Sequence, residues 1–299
     1  MIIERLKYFF FNVHNDWQIG VIHSSLKNFI FSEDDPKIKW ITCGFKVYQA
    51  DPFGIERNGN LYLFYEEFLK EKDYAVLKCM VLNNQLKKLE DRIILDDGTH
   101  KSFPFLFESD DTWYMMPESG ALNKLEIYEC NEFPFVWKQK HVILSFACSD
   151  AILQKVENTW FLFYTKSNTT DENKTLYLRK SEDLFGNWEL ETETIVNNDD
   201  YSSRNAGSIY KIDEDYFRFA QNCSNSYGEN VVIKKVNRFS FDDYKETVIS
   251  EKYLPENCNG FHTLNANDSF VLVDRRRYRY QLKSISVIFR QLKKFIIKS

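Results

Sequence analysis

Five pairs of residues stand fifteen positions apart along this chain: Asp51 and Glu66, Phe103 and Glu118, Asp150 and Thr165, Ala206 and Gln221, Asn259 and Asp274. Half of these positions carry a carboxylate, and the pairs return about every fifty residues. Carboxylates gathered in one place can take a proton from a hydroxyl or a water, give one to a leaving oxygen, or hold a neighbouring acid at a shifted pKa. For any single acid, hydrogen bonding of a turn or sheet edge explains it as well. For the set, chemistry is the better account, because acids on the outer faces of strands fall at scattered places. Arg204, just ahead of Ala206, carries the planar fork that suits a phosphate or a carboxylate. Phe53, Phe103, Phe105 and Phe261 offer flat surfaces to the apolar face of a sugar.

The elements that must position these residues are hairpins. From Asp51 the chain reads as a strand, turns at Asn58-Gly59, and returns as Leu61-Tyr62-Leu63-Phe64-Tyr65 to Glu66; Asn-Gly supplies the positive φ of a tight turn. The ends of an antiparallel pair lie side by side, so Asp51 and Glu66 share one sheet edge. The same unit starts again at 103, 150, 206 and 259. Third strands follow at Tyr74–Leu82, Leu125–Glu129, Leu176–Arg179 and Val231–Val236, and fourth strands at Trp137–Leu144, Trp188–Val196, Tyr244–Ser250 and, ahead of the first hairpin, Ile38–Thr42. Four short strands per fifty residues make a propeller blade. The fold expected is all-β: a five-bladed β-propeller over residues 1–274, with the strand at Trp17–Ile22 completing the last blade and Asn28 to Lys39 an irregular connection. The innermost strands run along the axis, so equivalent positions converge on the mouth of the hub.

The remaining segment, 275–299, holds nine Lys or Arg and no acid, leaving 30 basic against 44 acidic residues in the body. Ile285, Ile288, Phe289, Leu292 and Ile296 fall at helical spacing. Two readings stay open for this basic amphipathic tail: a short helix on an anionic membrane surface, or one docked on the propeller. The acidic body and the lack of a recognition motif argue against nucleic acid. Six scattered cysteines without Cys-x-x-Cys spacing read as reduced thiols and not as a zinc site. Met1–Val13 makes a poor secretory signal, so the expected location is cytoplasmic, peripheral at the inner face of the membrane through the tail.

Several motifs in this order resemble a known family: Asp51-Pro52-Phe53, Tyr62-Leu63-Phe64-Tyr65-Glu66-Glu67, Phe103-Pro104-Phe105, Pro117-Glu118-Ser119, Asp150-Ala151, Arg204-Asn205-Ala206-Gly207, Gln221-Asn222-Cys223-Ser224 with Tyr227-Gly228, and Phe261-His262-Thr263-Leu264-Asn265. Together, over about Trp17 to Asp274, they look like the glycosidase-like propeller at the N-terminus of plant glucosamine inositolphosphorylceramide transferases, which is similar in turn to family 43 glycoside hydrolases. That resemblance implies Asp51 as a base and Asp150 as the group that tunes a pKa. The fourth blade departs from the pattern, with Ala206 where an acid is wanted; Glu118 is the substitute. The catalytic candidates are therefore Asp51, Glu118 and Asp150, and the substrate-binding candidates Glu66, Phe103, Arg204, Gln221 and His262. The departure turns the expectation from hydrolysis to a sugar transferase of surface-glycan assembly, acting on a sugar or lipid-linked glycan, with Asp51 as base and Arg204 for a leaving phosphate. A family 43 hydrolase and a non-catalytic glycan-binding propeller are the alternatives. No cofactor is expected beyond the option of an axial calcium beside His262, set against a histidine that only hydrogen-bonds.

Overall fold

The computed structural model describes residues 10–32, 34–254, 258–285 and 287–288. Five four-stranded antiparallel sheets form the ring expected from the repeat. In chain order, β1 (Phe11–His23), helix α1 (Leu26–Phe31) and β2 (Ile38–Trp40) come first. Blade I follows as β3 (Val47–Arg57), β4 (Asn60–Leu69), β5 (Tyr74–Asn83) and β6 (Lys88–Leu95). Blade II is β7 (Ser102–Ser109), β8 (Thr112–Glu118), β9 (Leu125–Glu132) and β10 (Val136–Leu144), and blade III is β11 (Cys148–Val156), β12 (Thr159–Lys166), β13 (Thr175–Ser181) and β14 (Thr194–Asn198). Blade IV is β15 (Tyr210–Ile212), β16 (Asp215–Asn222), β17 (Asn230–Arg238) and β18 (Lys245–Lys252). Blade V takes β19 (Leu264–Ala266) and β20 (Phe270–Leu282) from the end of the chain and β1 and β2 from its start, in the order β19-β20-β1-β2. The register of β1 on β20 is unbroken from Phe11↔Leu282 to His23↔Phe270.

Strand alternation explains why the blades stack. Leu61, Leu63 and Tyr65 of β4 join Ile19, Val21 and Leu272 in the core shared with blade V. Phe64, between them, faces the other way, into the core that runs through blades I to III. Successive side chains of a strand point to opposite faces, so β4 is apolar on both over this stretch. Each such side chain, fully buried, contributes about 1.5–3 kcal/mol. The turn at Asn58-Gly59 has the positive φ angles that the dipeptide announces, 53° and 72°.

Four expectations need correcting. The boundary placed at 274/275 falls inside β20, which continues to Leu282, so the first residues of the supposed tail are paired strand. The connection from Asn28 contains α1, opened by Ser25, whose Oγ accepts the Asn28 amide, and anchored by buried Leu26, Phe29 and Ile30. The fourth strand of blade III is Thr194–Asn198, not Trp188–Val196. Trp188 is instead buried in the preceding loop, its indole donating to the Leu184 carbonyl, while Arg179 holds the carbonyls of Trp188, Glu189 and Glu191. The outer strand of blade I, Lys88–Leu95, escaped the reading altogether.

Of the C-terminal helix, one turn is described, with the amides of Val287 and Ile288 donating to the Ser284 carbonyl. Phe289, Leu292 and Ile296 lie outside the described residues. Among those described, no helix is long and apolar enough to cross a membrane.

Candidate active site

Asp51, Phe103 and Asp150, the opening positions of blades I to III, all have left-handed backbone, with φ of 51°, 44° and 46°. Each sits at a bulge, where the register slips between Ala50 and Phe53, Ser102 and Phe105, and Ser149 and Ile152. An L-residue in that region costs about 1–2 kcal/mol, so three in equivalent places need a compensating bond. It comes from the neighbouring blade. The Asp51 amide donates to Asp274 Oδ2 at 3.2 Å, the Phe103 amide to Asp51 Oδ2 at 3.0 Å, and the Asp150 amide to Glu118 Oε2 at 3.2 Å. The recurring acids therefore have an architectural role: each carboxylate sutures its blade to the next around the hub.

Two basic side chains sit among these acids. The imidazole of His262 lies between carboxylates, Nδ1 2.7 Å from Asp274 Oδ2 and Nε2 3.5 Å from Asp51 Oδ1, and stacks on Trp17 at 3.7 Å between ring centroids. Burial alone would lower its pKa, but Asp274, then Asp51, outweigh that and raise it. Arg204 donates through Nε to Asp150 Oδ2 at 2.5 Å and through Nη1 to Glu172 Oε1 and Asn173 Oδ1, both at 3.0 Å. Its Nη2 is 3.9 Å from Glu118, and its guanidinium lies over Tyr227. Gln221 completes this half, donating to the same Asp150 oxygen at 2.7 Å.

The acids outnumber these basic side chains. Burial, then the charge of Asp150, pushes the Glu118 carboxyl up to about 8, against the pull of Arg204. Burial, then Asp51, raises Glu66 well above the ordinary carboxylate range. Burial also raises Asp150, opposed by Arg204 and reinforced by Asp51. Near neutral pH Glu118 therefore tends to keep its proton, the state that a general acid needs. The Glu118 side chain retains 16% exposure, against 5% for Asp150, 6% for Asp51 and 8% for Glu66, so it is the most open of these four acids.

Asp51, His262 and Asp274 are also the described residues whose ligand atoms come close enough to hold a metal ion. The donor set does not fit calcium. All four carboxylate oxygens already accept hydrogen bonds: Asp51 from the Phe103 amide and the Thr263 hydroxyl, Asp274 from the amides of Asp51, His262 and Thr263 and from the His262 ring. Calcium wants about six to eight free oxygen ligands, and an imidazole supplies only nitrogen. No step is routed through a metal.

The structure thus brings Asp51, Glu66, Glu118, Asp150, Arg204, Gln221 and His262 to one mouth, as the repeat alignment implies. Phe103 contributes only its backbone, since its ring is buried edge-on against Phe53 at 5.0 Å; Phe105 and Phe261 are equally enclosed. None of these rings can face a sugar. The aromatic groups that reach the mouth are Trp17 and Tyr227, and the reading missed the first. The return of its strand to the last blade was expected, but nothing in the sequence said that the Trp17 ring would stack on His262. Asp274 was visible as a closing position, but its service to three amides was not. Glu172 and Asn173 come from the polar connection after β12, which carries no pattern at all.

Residues 41–272 match the family described as glucosamine inositolphosphorylceramide transferase 1, N-terminal. The glucosamine inositolphosphorylceramide transferase 1 of Oryza sativa subsp. indica is 28% identical over 211 residues, which cover 68% of this chain and 28% of that protein. The chain therefore spans little more than a quarter of this curated relative. Among solved structures, the catalytic domain of the Coprinopsis cinerea GH62 alpha-L-arabinofuranosidase superposes with a TM-score of 0.57 at 12% identity, over 76% of this chain and 90% of that one. The GH43_1 enzyme from Xanthomonas citri gives 0.54 at 12% identity, over 80% and 90%. At such identities the likeness is one of fold.

Proposed function

This chain belongs to the family described as glucosamine inositolphosphorylceramide transferase 1, N-terminal, and from that premise we propose that it is carbohydrate-active, transferring a sugar at the mouth of its hub by acid and base. The observation that carries this reading is the meeting of Asp51, Glu118 and Asp150, from three successive blades, with Glu118 pushed up to about 8. Glu118 gives its proton to the oxygen leaving the sugar's anomeric carbon. Asp51 takes the proton of the incoming hydroxyl as the new bond to that carbon forms. Asp150, held by Arg204 and Gln221, keeps Glu118 protonated until then. With water as the incoming hydroxyl the same groups hydrolyse, so the acceptor alone separates the two outcomes.

The structure changes the part expected of Arg204. It is bonded to Asp150, Glu172 and Asn173, so receiving a leaving phosphate would require it to give up Glu172 and Asn173. A leaving hydroxyl protonated by Glu118 suits the site better. The substrate is then a sugar or lipid-linked glycan of surface-glycan assembly, met in the cytoplasm at the membrane's inner face.

A second reading has its own support. Both oxygens of Asp51 already accept hydrogen bonds, which suits a mouth that binds a glycan without turning it over. A screen of aryl glycosides, nucleotide-linked and lipid-linked sugars, read by mass spectrometry, decides between them. Transfer predicts a glycosylated acceptor, with Asp51→Asn and Glu118→Gln each slower by roughly 10²–10⁴-fold. Free sugar alone means hydrolysis. Saturable glycan binding with no product in any arm would replace catalysis with recognition.

A further inference from the structure

Past the hub, β20 and β1 continue together as a two-stranded ribbon, with Arg275, Arg277 and Arg279 paired to Gln18, Asp16 and His14. Residues two apart share a face of a strand, and here that face looks onto the connection between β2 and β3. Arg275 lies over the Trp40 ring at 3.8 Å and donates to Gln18 Oε1. Arg279 lies over Phe45 and donates to Asp16 and to the carbonyls of Cys43 and Gly44. Arg277, between them, has no ion pair or hydrogen bond among the described residues, and its Nε is buried without a partner. It lines a cavity of about 390 Å³ together with Gln18, Thr42, Cys43, Phe45 and Arg279.

The charge around this cavity is one-sided. Asp16, opposite Arg277 in the ribbon, is already bonded to Lys70 at 2.6 Å and to Arg279 at 3.1 Å. Among the described residues the lining holds the guanidinium groups of Arg277 and Arg279 and no carboxylate, in a chain whose net charge is −5. Burial, then the neighbouring Arg279, lowers the Arg277 pKa, and burial, then Arg277, brings Arg275 down to about 10. The Arg277 guanidinium is thus packed against a like charge, with an N–H facing no acceptor. The fork of an arginine matches two oxygens of a phosphate, and two guanidinium groups with no carboxylate in the lining suit a dianion better than a single carboxylate.

We propose that the cavity between the β1–β20 ribbon and the β2–β3 connection is a binding site for a phosphate-bearing ligand, with the Arg277 guanidinium as its principal contact. The site stands apart from the hub acids and does not depend on what they do. The phosphate reaches it on a soluble molecule or as a lipid headgroup, and the two sources are separable.

The test uses the full chain, with inorganic phosphate by titration calorimetry and with phosphatidylcholine vesicles, plain or containing phosphatidic acid, by co-sedimentation. Saturable binding of inorganic phosphate, weakened at least tenfold in Arg277→Gln, supports the site with a soluble source. Binding confined to phosphatidic acid vesicles, and lost in the same variant, supports it with a lipid source. Arg277→Lys, which keeps the charge without the fork, falls between the two proteins. Thermal unfolding without ligand checks that both variants fold, and if Arg277→Gln does not, the comparison is made with Arg277→Lys. No binding in either arm, or binding that these substitutions leave unchanged, overturns the proposal.

Discussion

Two buried charge clusters in this molecule treat the same functional group in opposite ways. In blade IV, Glu246 receives Arg218 through two bonds of 2.6 and 2.9 Å, Lys234 at 2.6 Å and the Tyr244 hydroxyl at 3.0 Å. Burial would raise its pKa, but Arg218, then Lys234, hold it down at about 2. At the hub Glu118 is raised to about 8. Both glutamates are removed from bulk water, so burial is not what separates them. The difference is the ratio of basic side chains to carboxylates: two to one around Glu246, against two to five at the hub. A cluster with its charges matched serves the architecture, whereas one with surplus acid keeps a proton that it can give away. The clusters are also joined, because Arg218 donates to the Ser202 and Ser203 carbonyls and to the Asn205 side chain, bracketing Arg204 as it enters the mouth.

The comparison can be broken in three places. Glu246→Ala leaves Arg218 buried without its partner, and urea unfolding at pH 7 is expected to show a loss of about 3–5 kcal/mol. A loss below about 1 kcal/mol would mean that the blade IV cluster is not the matched one. The next effect is smaller and opposite in sign. A carboxyl raised in the folded state is protonated there while the unfolded chain has already released the proton, so its contribution is present below the ordinary value of 4.5 and is lost as pH rises to about 8. Glu118→Gln should therefore stabilise the protein at pH 8 by about 1–3 kcal/mol and flatten its stability across that window. Glu246 has a depressed pKa, so its contribution is present above 4.5 and is lost as pH falls toward about 2. Finally, Trp17→Leu removes the ring stacked on His262; losing about 1 kcal/mol of cation–π attraction should lower the imidazole pKa, read by NMR titration. An unchanged or higher value would show that the ring is held neutral.

The repeat was legible because alternation and turn chemistry are local. Asn58-Gly59 fixes one hairpin, and the fifteen-residue spacing carries the alignment to the others without a gap. Position followed from it, but cause did not. The acids recur partly because the left-handed residues at 51, 103 and 150 need an acceptor on the blade before, a demand expressed only in three dimensions. Blade V shows where the alignment fails. Gly260 opposes Arg276 and Leu264 opposes Val273, the same one-residue slip as in blades I to III, but it falls after Asn259, and His262 and Thr263 deliver their amides to Asp274. Asn259 consequently pairs through its backbone with Arg276 instead of opening a hub position like Asp51. Glu172 was unreadable for a different reason, since a side chain on an irregular connection has no periodicity to follow.

The way the ring is locked also sets how it would yield to force. Phe11 pairs with Leu282 at the far end of the ribbon, and the pairing runs inward to Ile19↔Asp274. A pull that separates the two chain ends meets the rungs one at a time, as in a zipper, rather than loading them all together in shear. The fastening can therefore give way step by step from the outside. The rung that holds Asp274 over the axis parts only after every pair from Phe11↔Leu282 to Gln18↔Arg275 has opened.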